Sequence, residues 1–260
     1  FMVLTLTLTD AQFMTWGWRI PFLVSAVLVI VGLWVRLNIA ERREFCAAQK
    51  KERPHAIPLI PLLTRHWGGI LAGAAGVIGT FATFYLATAF ALAYATGPLG
   101  YPRDTFLAIQ LLANFFYAGG MALAGIWSDR YAPHKVLIAG ALGISLVGLA
   151  LGAGLQAGLV IAGVTLCALM FALGLANGPL GAWLSQLFPV PVRYSGVSLA
   201  FNTGGLIGGA AGSGGGQMMG GPRHPLSGGG GLFVGGGCPL FLGVAPRRYA
   251  SEVEMAVVSP

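Results

Sequence analysis

The chain has 260 residues, 56% of them apolar and only 9% charged, with 15 basic and 8 acidic side chains and a formal net charge of +7. A soluble domain devotes about 25% of its residues to charge, and so few charges cannot cover a water-facing surface of this size, which excludes an ordinary soluble protein. Nucleic-acid binding is not implied either: seven of the fifteen basic residues fall in one stretch, 36–65, between two apolar blocks, the loop bias that marks cytoplasmic segments of membrane proteins.

Residues 1–15 begin inside an apolar run with no initiator Met and no basic leader. They read as the remnant of a preceding helix or loop, as in a truncated reading frame. The first full span is expected over 16–38, entered through Trp16, Gly17, Trp18 and Arg19, a pairing of amphipathic rings with a lone cation that suits the headgroup layer. Residues 39–67 are polar, basic and broken by Pro54, Pro58 and Pro61, and are expected to form a cytoplasmic loop.

Five apolar blocks follow within 68–212, near 69–94, 105–127, 136–155, 159–184 and 195–211. A helix needs about 20 apolar residues to cross the hydrocarbon layer, so the expected fold is an all-α polytopic membrane protein of about six transmembrane helices. Asp104, just after Pro102, is expected to cap the second of these five blocks. If the basic loop is cytoplasmic, ten basic residues lie inside and only Arg19 and Arg103 outside, a one-sided count that orients the bundle. Small residues recur four apart at Gly69/Gly73, Gly148/Gly152, Gly174/Gly178 and Gly204/Gly208, the spacing that lets helix backbones approach where lipid gives no hydrophobic drive.

From Ser213 the character changes. Runs of glycine at 214–216, 228–231 and 235–237 surround Pro222 and Pro225. Glycine loses the most conformational freedom on ordering, so 213–260 is expected to be a disordered tail, consistent with a shifted reading frame near Ala211. Cys46, Cys167 and Cys238 share no short spacing, so neither a metal site nor a disulfide framework is expected.

The spans carry no Asp, Glu, Lys, Arg or His deep inside them, although proton coupling in membranes ordinarily uses such a group. Neutral polar side chains remain. Thr80, Thr83, Tyr85, Thr88 and Tyr94 lie along one block, Gln110, Asn114 and Tyr117 share one helical face of the next, and Asn177 stands beside Gly178-Pro179, where a break can free carbonyls. Tyr85, Gln110, Asn114, Tyr117 and Asn177 are the candidates for lining a solute cavity; the alternative is hydrogen bonding between helices. No His-Glu-x-x-His or Gly-x-Ser-x-Gly pattern is present, so an intramembrane enzyme is not expected. No cofactor is expected.

Three stretches together carry a family resemblance. They are Gly17-Trp18-Arg19-Ile20-Pro21-Phe22-Leu23, Gly125-Ile126-Trp127-Ser128-Asp129-Arg130, and the passage from Gly178-Pro179 through Leu187-Phe188-Pro189 to Val192-Arg193-Tyr194-Ser195-Gly196. They resemble the major facilitator superfamily, and within it the metabolite:proton symporter branch. The resemblance implies a partial bundle corresponding to helices six through eleven, with an N-terminal half that would be missing here. It implies a conformational lock at Gly125, Asp129 and Arg130, and a second interhelical loop residue in Arg193. The sequence departs from the family pattern at Ala132, Pro133 and His134, where a Gly and Arg pair is usual, and at Gln186, where an acid is common.

The implied function is proton-coupled symport of a small organic acid or osmolyte across the plasma (inner) membrane, with lipid, solute and protons as partners. The alternatives are an inactive fragment, or a sugar or drug transporter on the same scaffold.

Overall fold

Apolar runs without internal proline become helices because, in lipid, every backbone amide and carbonyl must find its partner within its own segment. The computed structural model of the chain describes residues 7–38, 62–63, 66–189 and 192–219, and among these every regular element is helical. Most of the expected basic loop and the tail from 220 onward lie outside the described residues, as do residues 1–6. The chain divides into two units, Phe1–Arg53 and Pro54–Pro260.

In the first unit a short helix, α1 (Asp10–Thr15), is started by Thr9. Its hydroxyl accepts from the Gln12 amide at 3.4 Å while the Gln12 side chain accepts from the Thr9 amide at 3.2 Å, a reciprocal cap that satisfies two otherwise orphaned donors. A 3-10 turn, Gly17–Arg19, leads into α2 (Ile20–Asn38). The Arg19 guanidinium lies 5.2 Å from the centre of the Trp18 ring, a cation–π contact suited to a span's entrance. Gly17–Val35 is long and apolar enough to cross a membrane.

Among the described residues of the second unit are seven helices: α3 (Trp67–Tyr85), α4 (Ala91–Thr96), α5 (Arg103–Arg130), α6 (Pro133–Gln156), α7 (Leu159–Asn177), α8 (Leu180–Gln186) and α9 (Arg193–Met219). Among the described residues of this unit, four stretches meet the length and hydropathy needed to span: Trp67–Thr96, Arg103–Arg130, Pro133–Gln156 and Leu159–Gln186. The expected sixth span, 195–211, is helical and lies inside α9, which is 27 residues long and runs on to Met219. It is richer in glycine and in Ser, Asn and Thr than the others, so it is less apolar. Asp104 falls inside the first turn of α5 and is not its cap; Pro102 holds that position, in extended conformation with ψ 126°.

The principal contacts pair α3 with α9, α5 with α7, and α6 with α7. Glycine makes the first two pairs close. On α9, Gly204, Gly208 and Gly212 stand over the Ala74, Ile78 and Ala82 carbonyls of α3, where an added Cβ would lie 2.6, 2.7 and 2.7 Å from the oxygens. Between α5 and α7, Gly120 and Gly174 face each other, and a Cβ on either would overlap a backbone carbonyl of the partner helix, Phe171 for Gly120 and Tyr117 for Gly174. The Gly69/Gly73, Gly174/Gly178 and Gly204/Gly208 pairs seen in the sequence each face atoms of a neighbouring segment, as close dispersion packing in lipid requires.

Two buried clusters mark the two ends of the bundle. One joins Ile70, Leu137, Trp183, Phe188, Val192 and Ala200; the other joins Phe90, Phe106, Leu155, Leu166 and Met170. The first end also carries the α5–α6 turn with Asp129, Arg130 and Lys135. At the second end the chain reverses between α6 and α7 through Gly158, whose φ of +114° an L side chain rarely adopts.

Candidate functional site

The span Trp67–Thr96 is not one continuous α-helix. Between α3 and α4 lies a π-turn, Leu86–Phe90, which widens the backbone and leaves carbonyls free for partners outside the helix. Gln110 on α5 is that partner: its side-chain amide donates to the Thr88 carbonyl at 2.6 Å and to the Ala87 carbonyl at 3.3 Å. Only a donor can face two carbonyls, so the orientation of this amide is fixed and its N–H groups are occupied. Gln110 is 8% exposed. The Asn114 amide returns to the Gln110 carbonyl of its own helix at 3.1 Å, on an exposed face.

One turn further along α5, the Tyr117 hydroxyl accepts from the Asn177 amide on α7 at 3.0 Å. Phe84 of α3 stands 6.1 Å from the Tyr117 ring, centre to centre. Asn177 is the last residue of α7, and the Gly178-Pro179 break follows it as the sequence suggests, with α8 resuming at Leu180. Tyr85 meets the edge of Phe84, ring centres 6.0 Å apart, but hydrogen-bonds neither Tyr117 nor Asn177. It ends α3 and packs its ring against Gly209 of α9, where an added Cβ would be 3.2 Å from the ring.

The threonines of the span Trp67–Thr96 are satisfied locally. Thr80, Thr83 and Thr88 donate to the carbonyls of Val77, Gly79 and Phe84 at 2.9, 2.8 and 2.7 Å. The structure thus joins Gln110 to the π-turn and Tyr117 to Asn177, and leaves Tyr85 and Asn114 outside both contacts. An apolar groove of about 680 Å³ between α5 and α7 is lined by residues including Ile109, Phe116, Val160, Val164 and Phe171, and by none of the five candidates.

At the opposite end, Asp129 and Arg130 close α5 in exposed positions, and neither side chain makes a hydrogen bond or ion pair with another described residue. A two-residue turn, Tyr131 and Ala132, leads to Pro133 at the start of α6, where proline is tolerated because its missing N–H would be unpaired anyway. Gly125 faces open space, with nothing within 4 Å of an added Cβ. Arg193 starts α9 and donates from Nε to the Phe188 carbonyl at 3.2 Å, binding the connection from α8 to the head of α9.

Sequence reasoning passed over the outward face of α9. Ser198, Asn202 and Thr203 are exposed there, and the Asn202 amide returns to the Ser198 carbonyl at 2.8 Å. The outward face of α6, by contrast, presents Leu142, Leu146 and Leu149. Polar side chains at membrane depth belong against protein or water, whereas the α6 leucines suit lipid. The four-residue spacing of Ser198 and Asn202 within a weakly apolar helix was the available signal.

Comparison with known proteins accounts for this architecture. Over 220 residues the chain is 34% identical to the inner membrane metabolite transport protein YhjE of Escherichia coli (strain K12), covering 80% of this chain and 49% of that protein. It is 34% identical to a shikimate transporter of the same strain, covering 80% of this chain and 48% of that one. It is 31% identical to a citrate-proton symporter of Salmonella typhi, covering 76% and 46%. The chain thus spans about half the length of the curated relatives it matches. No solved structure is a significant match. These relatives and the several membrane-spanning helices make it a multi-pass inner-membrane protein. The Major Facilitator Superfamily profile matches residues 3–213, and the chain belongs to that superfamily of membrane transporters.

Proposed function

We propose that these helices are the second half of a proton-coupled symporter for a small organic acid or osmolyte. The observation that carries this reading is the agreement of three relatives whose names specify a metabolite, shikimate, and citrate with protons. A proline/betaine transporter of Salmonella typhimurium, 28% identical over 216 residues, extends the range to zwitterions. In the whole transporter two halves rock about a site near the midplane. Here the polar groups available to such a site are Tyr117 with Asn177, together with Asn114 and, at the rim, Tyr85. Gln110 contributes through the π-turn, because its donors are already engaged.

Gly125, Asp129 and Arg130 are the lock at the cytoplasmic end, and Arg193 ties the neighbouring connection. The described spans hold no Asp, Glu, Lys, Arg or His at depth, so the proton-carrying group belongs to the other half of the transporter. The same fact favours a second reading for this polypeptide by itself: it folds in the membrane and moves no solute alone.

Uptake of radiolabelled shikimate, citrate, proline and betaine into vesicles tests both readings. Vesicles holding the chain alone are expected to match empty ones. Vesicles holding the whole transporter are expected to take up at least one of these solutes, faster with the outside acidified. Uptake indifferent to the pH gradient would remove proton coupling, and saturable uptake by the chain alone would overturn the second reading.

A further inference from the structure

Thr80, Thr83 and Gln110 are the buried polar side chains among the described residues. The two threonines bond within their own helix, whereas Gln110 reaches across from α5 to the π-turn. We propose that Gln110 sets the register of the outer part of the span Trp67–Thr96: its amide holds the π-turn in place and thereby fixes which face α4 presents to the bundle.

A π-turn carries one residue more than the α-helical path. At 3.6 residues per turn, annealing it to α-helix would rotate everything beyond it by about 100°. That rotation would carry Ala91 and Ala95, both fully buried, out of the core. No proline or glycine lies within Leu86–Phe90 to impose the irregularity, and the Thr88 hydroxyl bonds the Phe84 carbonyl just as Thr83 bonds Gly79 within regular α-helix, so the distinguishing cause is sought outside the segment. Helices α7 and α9 also pack against the turn, but among the described residues the side chain that hydrogen-bonds it from another helix is Gln110.

The far end of α4 is pinned as well. The Tyr101 backbone N–H donates to the Ala95 carbonyl at 2.9 Å, and the Tyr101 hydroxyl donates to the Leu155 carbonyl at the end of α6 at 3.0 Å. Helix α4 is thus held between one contact to α5 and one to α6. Gln110 acts here as a positioning residue, and the inference is independent of which solute is carried.

Hydrogen–deuterium exchange of the purified 260-residue chain in lipid nanodiscs tests the idea. In Gln110→Leu the amides of 90–96 are expected to exchange roughly tenfold faster than in the unaltered chain, with 159–177 unchanged. Gln110→Asn, one methylene too short to reach the carbonyls, is expected to reproduce this if Gln110→Leu folds poorly. Asn114→Ala, whose amide bonds only within α5, is expected to leave 90–96 at the original rate. Unaltered exchange at 90–96 in both Gln110 variants would overturn the proposal. So would equal acceleration throughout the bundle, or loss of the fold in both, since each would make Gln110 a general support.

Discussion

The Asn177 amide donates to the Tyr117 hydroxyl at 3.0 Å, joining α7 to α5 one turn from the place where Gly174 meets the Tyr117 backbone. The two contacts act together. Glycine brings the backbones close enough for a short amide and a phenol to meet, and the hydrogen bond then fixes the rotation of each helix.

The pair should therefore couple energetically. Tyr117→Phe and Asn177→Ala are each expected to lower stability by about 0.6 kcal/mol, the average for hydrogen bonds between membrane helices. The double variant should cost less than the sum of the two. Unfolding titration in mixed micelles measures all three. Strict additivity would mean that the two side chains do not support each other.

Glycines that look alike in the sequence should respond differently. Gly174→Ala places a methyl against the Tyr117 carbonyl and is expected to cost about 1–3 kcal/mol. Gly125→Ala meets open space and is expected to leave stability unchanged or raise it by up to about 1 kcal/mol, since alanine is the better helix former. If Gly125→Ala nonetheless abolishes uptake by the whole transporter, the glycine is needed in a conformation other than this one. Equal damage from both substitutions in the unfolding titration would refute the assignment.

Much of this architecture is legible from composition alone. Blocks of about 20 apolar residues announce the spans, because lipid leaves helix as the only way to satisfy an apolar segment's backbone. The Gly178-Pro179 break is likewise visible, since proline cannot continue the ladder of hydrogen bonds. The π-turn is not: Leu86–Phe90 reads as ordinary helix, and its widening depends on Gln110, which is 22 residues from Thr88 in the chain. For the same reason Gln110 looks like a solute ligand in sequence, where a free amide and one spent on distant carbonyls are identical. The exposed Ser198 and Asn202 were hidden by the opposite effect. Burial on the α3 side of α9 is set by its glycines, and polarity on the other side shows only once the helices are paired.

The membrane orientation can be checked directly. Tyr131 and Ala157 are exposed at opposite ends of α6, and the weight of basic residues assigns the Tyr131 end to the cytoplasm. On a background with the native cysteines replaced by alanine, Ala157→Cys should react with a membrane-impermeant maleimide in intact spheroplasts. Tyr131→Cys should react only after the membrane is opened. Both positions lie at helix ends, where a substitution leaves the glycine contacts between spans untouched. The reverse pattern would invert the bundle and move Asp129, Arg130 and Arg193 to the periplasmic side. Labelling of both positions in intact spheroplasts would mean that α6 does not cross the membrane. Either result would remove the basis for reading Gly125, Asp129 and Arg130 as a lock on the cytoplasmic side.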